Sequence, residues 1–233
     1  MALILNIETS TNICSVCIAK DGNIIAQKES SENKSHAKLL TLFIEDLLKE
    51  QSLTAANLDA VAVSKGPGSY TGLRIGVSVA KGLCYAKDIP LIAINTLQAM
   101  AFGVVSKLSA DNLNDSIIVP MIDARRMEVY SAFFDTKASL IRDVKAEIID
   151  ENSYAEKLST QKMIFCGDGS EKITSTIQHE NAIFISDFYP SATYMTVLSE
   201  SCFESEKFEN VAYFEPFYLK DFIATTPKKN IFN

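Results

Sequence analysis

The chain has 233 residues, 47% of them hydrophobic, enough apolar material for a large core in one domain or in two halves. Its formal charge of −7 argues against a surface built to grip nucleic acid unaided. No apolar run approaches the roughly 18 residues of a membrane span. Glu8 breaks the apolar start, so no signal peptide is expected and the cytoplasm is the expected location.

Hydrophobic periodicity and turn signals give the elements in chain order. Leu3–Ile7 and Ile13–Ala19 read as strands, and Asp21-Gly22 turns the chain into a third, Asn23–Lys28. A helix follows over His36–Glu50, with Leu39, Leu40, Phe43, Ile44, Leu47 and Leu48 on its apolar face. Ala60–Val63 is a buried strand, Gly72–Ala86 a helix, Leu91–Ile94 a strand and Thr96–Lys107 a helix. The polar stretch Asp111–Asp115 reads as a connector, and the order then restarts. Ile117–Ile122, Glu128–Phe134 and Leu140–Ile149 are strands, Asn152–Leu158 is helical, and Met163–Cys166 is a strand. Gly169–Ile177 is helical, Ala182–Ile185 a strand and Ala192–Phe203 a helix. Lys228 and Lys229 make a short basic tail.

The five cysteines are odd in number and scattered, as reduced thiols inside a cell would be. Cys14-x-x-Cys17 has redox or zinc spacing, but it lies in a strand pattern, where positions three apart face opposite sides. Both are read as small buried hydrophobes.

Two copies of three strands followed by alternating helices and strands predict a duplicated α/β fold, with halves at 1–110 and 111–233. Each half would hold a mixed five-stranded sheet flanked by helices, and the last helix or tail would pack back on the first half. This order resembles the actin-like ATPase (ASKHA) fold of sugar kinases. Glu8 ends the first strand of one copy and Asp123 ends the first strand of the other. Each is followed by a polar loop, Thr9-Ser10-Thr11-Asn12 and Ala124-Arg125-Arg126. In such a fold both loops face one cleft, where nucleotide phosphates and magnesium sit; otherwise they are two hairpin turns. A phosphotransfer loop of this fold prefers Asp followed by Gly and Thr. Glu8-Thr9-Ser10-Thr11 has no glycine, which argues against a kinase.

Lys65-Gly-Pro-Gly-Ser-Tyr-Thr-Gly-Leu-Arg74 places Gly66, Gly68 and Gly72 between an apolar strand and a helix. A strand that stops in a glycine loop and restarts as a helix aims free N–H groups outward, a geometry suited to an anion. The spacing matches neither a P-loop, nor a dinucleotide fingerprint, nor a nucleophile elbow. A tight strand–helix crossing, with Thr71 capping the helix, remains the alternative. Ser69 or Thr71 would need a base to serve as nucleophile, and the chain has two histidines, His36 and His179.

Ile7-Glu8-Thr9-Ser10-Thr11, the run from Lys65 to Gly76, Ala80-Lys81-Gly82-Leu83 and Ile122 to Tyr130 together resemble the TsaB (YeaZ) family of tRNA threonylcarbamoyladenosine biosynthesis proteins. Weaker echoes occur at Tyr189-Pro190 and at Phe217 to Lys220. The resemblance implies an actin-fold protein without catalysis. Its partner would be a paralogue, TsaD, which transfers threonylcarbamoyl to an adenosine beside the anticodon. A small ATPase, TsaE, would join them, and tRNA would be met only indirectly. The paralogue's metal-holding His-x-x-x-His pair would fall on helix 36–50, where His36 is followed at i+4 by Leu40; no metal is expected here.

The resemblance also implies site residues. Glu8, Thr9, Ser10, Thr11, Gly66, Gly68, Ser69, Asp123, Arg125 and Arg126 would line an anion or nucleotide cleft. No cofactor is expected to bind tightly; ATP or ADP would sit at the cleft or at the interface of the complex. Helices 36–50 and 72–86 would form the surface of a homodimer alone and of a heterodimer with TsaD. Its expected residues are His36, Leu39, Leu40, Phe43, Leu47, Leu73, Gly76, Val77, Ala80, Lys81 and Cys84. The small residues Gly72, Gly76 and Ala80 would let a neighbouring element approach. The same side chains could instead pack on their own sheet. The competing functions are a nucleotide-dependent enzyme of the actin-like fold and a glycoprotease-like metallopeptidase.

Overall fold

A computed structural model describes residues 2–31, 36–109, 113 and 115–219. The expected boundary at 110 and 111, most of the connector 111–115, Lys220, and the basic pair at 228 and 229 lie outside the described residues.

The first sheet comprises β1 (Leu3–Glu8), β2 (Cys14–Lys20), β3 (Asn23–Ser30), β4 (Ala60–Gly66) and β5 (Leu91–Asn95), in the order β3-β2-β1-β4-β5. The second comprises β6 (Ser116–Asp123), β7 (Glu128–Phe134), β8 (Leu140–Ile148), β9 (Lys162–Cys166) and β10 (Ala182–Ile185), in the order β10-β9-β6-β7-β8. The two orders are one topology: an antiparallel meander of three strands whose first strand then pairs in parallel with the fourth. The duplication read from element order is therefore present in the pairing itself.

Period-two alternation divides the first sheet into two apolar faces. Leu5, Ile7, Val16, Ile18, Val61 and Val63 meet α1 (His36–Glu50) and α2 (Tyr70–Lys87). Ile4, Ala60, Ala62, Ile92 and Ile94 meet α3 (Thr96–Lys107) and Met195. Because α3 also packs Leu97, Met100, Ala101 and Val104 against Ile118, Ile122 and Ile164 of the second sheet, it is a wall shared by both halves.

The second half has shorter helices than its sequence pattern predicts. The helix expected over 152–158 is a single turn, α4 (Ala155–Leu158), and that over 169–177 is α5 (Asp168–Glu171) followed by hydrogen-bonded turns. Ser153, Ser170 and Thr174 bond nearby backbone in those stretches, and Gly169 adds backbone entropy, both of which disfavour longer helices. The helix expected from Ala192 begins as a 3₁₀ turn (Ala192–Met195) before α6 (Thr196–Glu204), which lies against β1 and β5.

The segment after α6 has no regular structure but is tied down along its length. Glu209 N–H donates to Leu91 O (2.8 Å), Lys81 Nζ to Ala212 O (3.1 Å) and Phe214 O (3.0 Å), and Phe217 N–H to Lys65 O (2.7 Å). Val211 and Phe214 join the core beneath α2. Within the described residues this strap reaches the glycine loop.

Candidate functional site

The carboxyl ends of β1 and β4 and the start of α2 form one wall of a cleft. Glu8, the last residue of β1, is fully buried. Its Oε1 accepts from Ser10 N–H (2.6 Å) and Ser64 Oγ (2.9 Å), while Oε2 has no partner among the described residues. Burial pushes the carboxyl above its ordinary value despite the hydrogen bonds from Ser10, Ser64 and Thr9. Glu8 is therefore a floor beneath the loop and does not line the cleft. Thr9 is buried as well, its Oγ1 donating to Gly72 O (2.9 Å).

The glycines of the second motif make room for that loop. A Cβ on Gly72 would collide with Thr9 O, one on Gly76 with Thr9 Oγ1, and one on Gly68 with Ser10 O. Ser69 N–H donates to Ser10 O (2.6 Å). Gly66 has a left-handed φ of 105° and lies under Phe217 O of the strap, outside the cleft lining. The helix cap is Ser69, whose Oγ accepts from Gly72 N–H (3.2 Å); the cap expected at Thr71 does not form, because α2 already begins at Tyr70. The tight crossing and the cleft wall are thus one structure.

The opposite wall comes from the second half. Asp123 Oδ1 accepts from Arg125 N–H (2.8 Å), holding a turn in which Arg125 and Arg126 both have left-handed backbone. Asp123 also pairs with Lys172 Nζ, which donates in addition to Glu128 O (2.6 Å). Asp123 N–H in turn donates to Asp168 Oδ1 (3.0 Å), and burial, with Asp123 nearby, pushes the Asp168 carboxyl up. The loops that follow Glu8 and Asp123 both line one cleft, but Glu8 itself lies beneath its loop and outside that lining. The acid that accompanies Asp123 is Asp168, and Lys172 offsets the charge.

Between the walls lies a cleft of about 500 Å³. Of the expected residues it brings together Ser10, Thr11, Gly68, Ser69, Asp123 and Arg125; Glu8, Thr9, Gly66 and Arg126 are not in its lining. Sequence reasoning missed Tyr70, Tyr130, Asp168, Phe217 and Tyr218. Gly167-Asp168-Gly169, directly after an apolar strand, was a usable signal for Asp168, and the aromatic run Phe217-Tyr218 for the strap. Ser10 belongs to this lining, while its Oγ is buried and has no geometric hydrogen-bond partner among the described residues. Hydroxyls, an arginine and tyrosine rings suit the anion and flat ring of a nucleotide.

His36, at the start of α1, reaches the loop after β1. Its Nε2 lies 2.7 Å from Thr11 O, which can only accept, so the proton sits on Nε2. At i+4 is Leu40, buried in the core. Cys14 and Cys17 are buried, free thiols, raised by burial to about 11 and about 12.

The outer face of α1 and α2 is a second candidate surface, and here the expected residues need correction. Leu40, Leu47, Leu73, Gly76, Val77, Ala80 and Cys84 are buried in the chain's own core and are not available to a neighbour. His36, Leu39, Phe43 and Lys81 are half-buried, and Lys81 is engaged by the strap. The outward residues lie one helical position away. Ala37, Tyr70, Arg74, Ile75, Ser78 and Val79 line an apolar groove of about 440 Å³, and Leu42 of α1 and Tyr85 of α2 are exposed. Gly82 lies mid-helix with nothing within 4 Å of where its Cβ would stand.

A family model described as TsaD, tRNA N6-adenosine threonylcarbamoyltransferase, matches residues 23–228. The chain is 30% identical over 235 residues to the tRNA threonylcarbamoyladenosine biosynthesis protein TsaB of Escherichia coli, a match spanning 95% of this chain and 96% of that protein. Among solved structures, YeaZ from Pseudomonas aeruginosa has a TM-score of 0.81 at 24% identity, with 94% of this chain and 100% of that one covered. The inorganic polyphosphate/ATP-glucomannokinase of Arthrobacter has a TM-score of 0.53 at 12% identity, covering 86% and 99%. The likenesses to these two structures establish the duplicated actin-like fold.

Proposed function

This chain belongs to the TsaB family and acts in tRNA threonylcarbamoyladenosine biosynthesis, and we propose that it does so by holding a TsaD paralogue rather than by transferring the group itself. The observation that carries this reading is the outer face of α1 and α2, an apolar groove with an open glycine beside it. A glycine inside a helix costs about 1 kcal/mol relative to alanine. The monomer offers no packing reason for Gly82, whereas a partner backbone approaching there would. The apolar lining of Ile75 and Val79 suits a helix laid alongside.

The catalytic positions support the same reading. Glu8 is turned into the interior, Asp123 is paired with Lys172, and Leu40 stands where a second imidazole ligand would be needed. In the absence of the paralogue, the same face would close a homodimer. TsaE would join the heterodimer, ADP or ATP would bind loosely in the cleft, and tRNA would be reached through the partner, in the cytoplasm. Among the described residues no helix is long and apolar enough to cross a membrane.

The test is a transfer assay run by omission. The chain alone gives no modified tRNA, the paralogue alone gives little, and the two together give full transfer. ATP turnover or threonylcarbamoyl transfer by the isolated chain, lost in Asp123→Ala, would favour the enzyme reading instead.

A further inference from the structure

The chain passes between its halves twice: outward after α3, and back between β10 and α6. The return crossing, residues 186–195, is short and fastened on both sides. Pro190 fixes one of its φ angles and restricts Tyr189 before it. Toward the second half, Phe188 is buried in the cluster that α3 shares with β6 and β9, and Tyr189 OH donates to Glu171 Oε1 (3.0 Å). Toward the first half, Ala192 N–H donates to Ser15 Oγ of β2 (2.9 Å), and Ser191 Oγ to Glu29 Oε2 of β3 (2.7 Å). Ser15 and Ser191 are both buried, and Met195 is fully buried beside Ile4, Ala60 and Ile92.

Tyr194 closes the joint. A Cβ on Gly103 of α3 would stand 2.7 Å from its ring, so the ring occupies the notch that this glycine leaves. The same ring stacks on Phe188, with centroids 5.3 Å apart and planes 10° from parallel. Lys107, at the end of α3, donates from Nζ to Tyr194 OH (2.5 Å) and lies over both rings, 4.9 Å from Tyr194 and 5.2 Å from Phe188.

We propose that the return crossing is a lock: the Tyr194 ring in the Gly103 notch and the Ser15–Glu29–Ser191 hydrogen bonds hold the two halves at one fixed angle, so that the chain does not hinge about its cleft. Domain closure needs a few loop or element-terminal residues free to absorb large changes in φ and ψ. Here Phe188 and Tyr189 are tied to the second half, residue 190 is proline, and Ser191, Ala192 and Met195 are tied to the first. Rotating one half against the other would draw the Tyr194 ring out of close packing. It would also leave the buried Ser15 and Ser191 hydroxyls without partners, and an unpaired buried polar group is costly. Such rigidity is a property of the chain itself, whatever occupies its cleft, and it would present a partner with one preset surface.

The experiment measures the distance between the halves by double electron–electron resonance. Spin labels are placed at exposed positions by Lys20→Cys in β2 and Glu156→Cys in α4, in a Cys202→Ser background; the other four cysteines are buried. One narrow distance is expected for the chain alone, and the same distance with its TsaD paralogue bound. Tyr194→Ala should broaden it or add a second distance, and Ser191→Ala should do so to a lesser extent. Tyr194→Phe, which keeps the ring in the notch, should leave it narrow. Where Tyr194→Ala fails to fold, Ser191→Ala combined with Ser15→Ala makes the same comparison. Two distances in the wild-type chain, or one that moves on pairing, would overturn the lock. A narrow, unmoved distance in the folded variants would overturn it as well, because something other than the crossing would then hold the halves.

Discussion

Thr9 occupies the notch that Gly72 leaves in α2: the Thr9 carbonyl oxygen lies where a Cβ on residue 72 would have to stand, and its hydroxyl donates to Gly72 O. The glycines of this helix and of the loop before it therefore divide into two kinds. Gly68, Gly72 and Gly76 are filled by the chain's own first loop, and Gly82 faces open space.

Gly72→Ala and Gly82→Ala should consequently move stability in opposite directions. The first forces backbone apart and should cost about 1–3 kcal/mol. The second should stabilise the monomer by about 1 kcal/mol, because alanine loses less backbone entropy in a helix. Urea unfolding of both variants checks this, with a lower midpoint for Gly72→Ala and a higher one for Gly82→Ala. The second variant should also weaken pairing with the paralogue, since its methyl group protrudes into the docking face.

Glu8 should make the fold less stable as pH rises. Its carboxyl is raised by burial, so its favourable contribution is fully present below the ordinary value of 4.5 and is lost as pH climbs through the higher folded value. Glu8→Gln keeps an oxygen to accept from Ser10 N–H and Ser64 Oγ and removes the buried charge. Well above the folded value it should raise stability by about 1 kcal/mol or more, and it should flatten the dependence of Tm on pH above 4.5. An unchanged slope would show that Glu8 is not the group responsible.

Glu147 should behave in the opposite way. Burial pushes its carboxyl up, but the bonds from Arg142 NH1 (2.8 Å) and NH2 (2.7 Å), Ser131 Oγ (2.5 Å) and Tyr154 OH (2.8 Å) outweigh that and leave it lowered. Arg142 is further held 3.6 Å above the Phe133 ring. A lowered carboxyl stabilises above its ordinary value of 4.5, and that contribution disappears as pH falls through the folded value. Glu147→Gln should cost about 1–3 kcal/mol at pH 7, with the gap to wild type narrowing toward pH 3. Thermal unfolding across that range measures it.

Much of this was legible in the sequence because the signals were local. Alternation and helical period located the ten strands among the described residues and the long helices, and the strand–glycine–helix run marked the cleft wall. What failed was long-range. An apolar helix face looks the same whether it meets its own sheet or a neighbour, so Leu40, Leu73 and Val77 were expected at an interface and lie in the core. Glu8 was read as a cleft acid because it ends β1; its burial depends on Ser64, which arrives from β4. Lys172 meets Asp123 from 49 residues away, and no periodicity announces such a pair. The strap carries aromatic residues without a repeating pattern, so Tyr218 stood only within a weak family echo and not as a cleft residue.

The claim that this chain works by holding its paralogue is tested most directly by the dissociation constant of the pair, measured for wild type and for Ser78→Glu. Ser78 is exposed in the groove, so the variant should fold with an unchanged Tm. The account predicts that the charge weakens the heterodimer by at least about tenfold, equivalent to about 1.4 kcal/mol, and lowers reconstituted transfer in parallel. Undiminished pairing in a folded Ser78→Glu chain would contradict it.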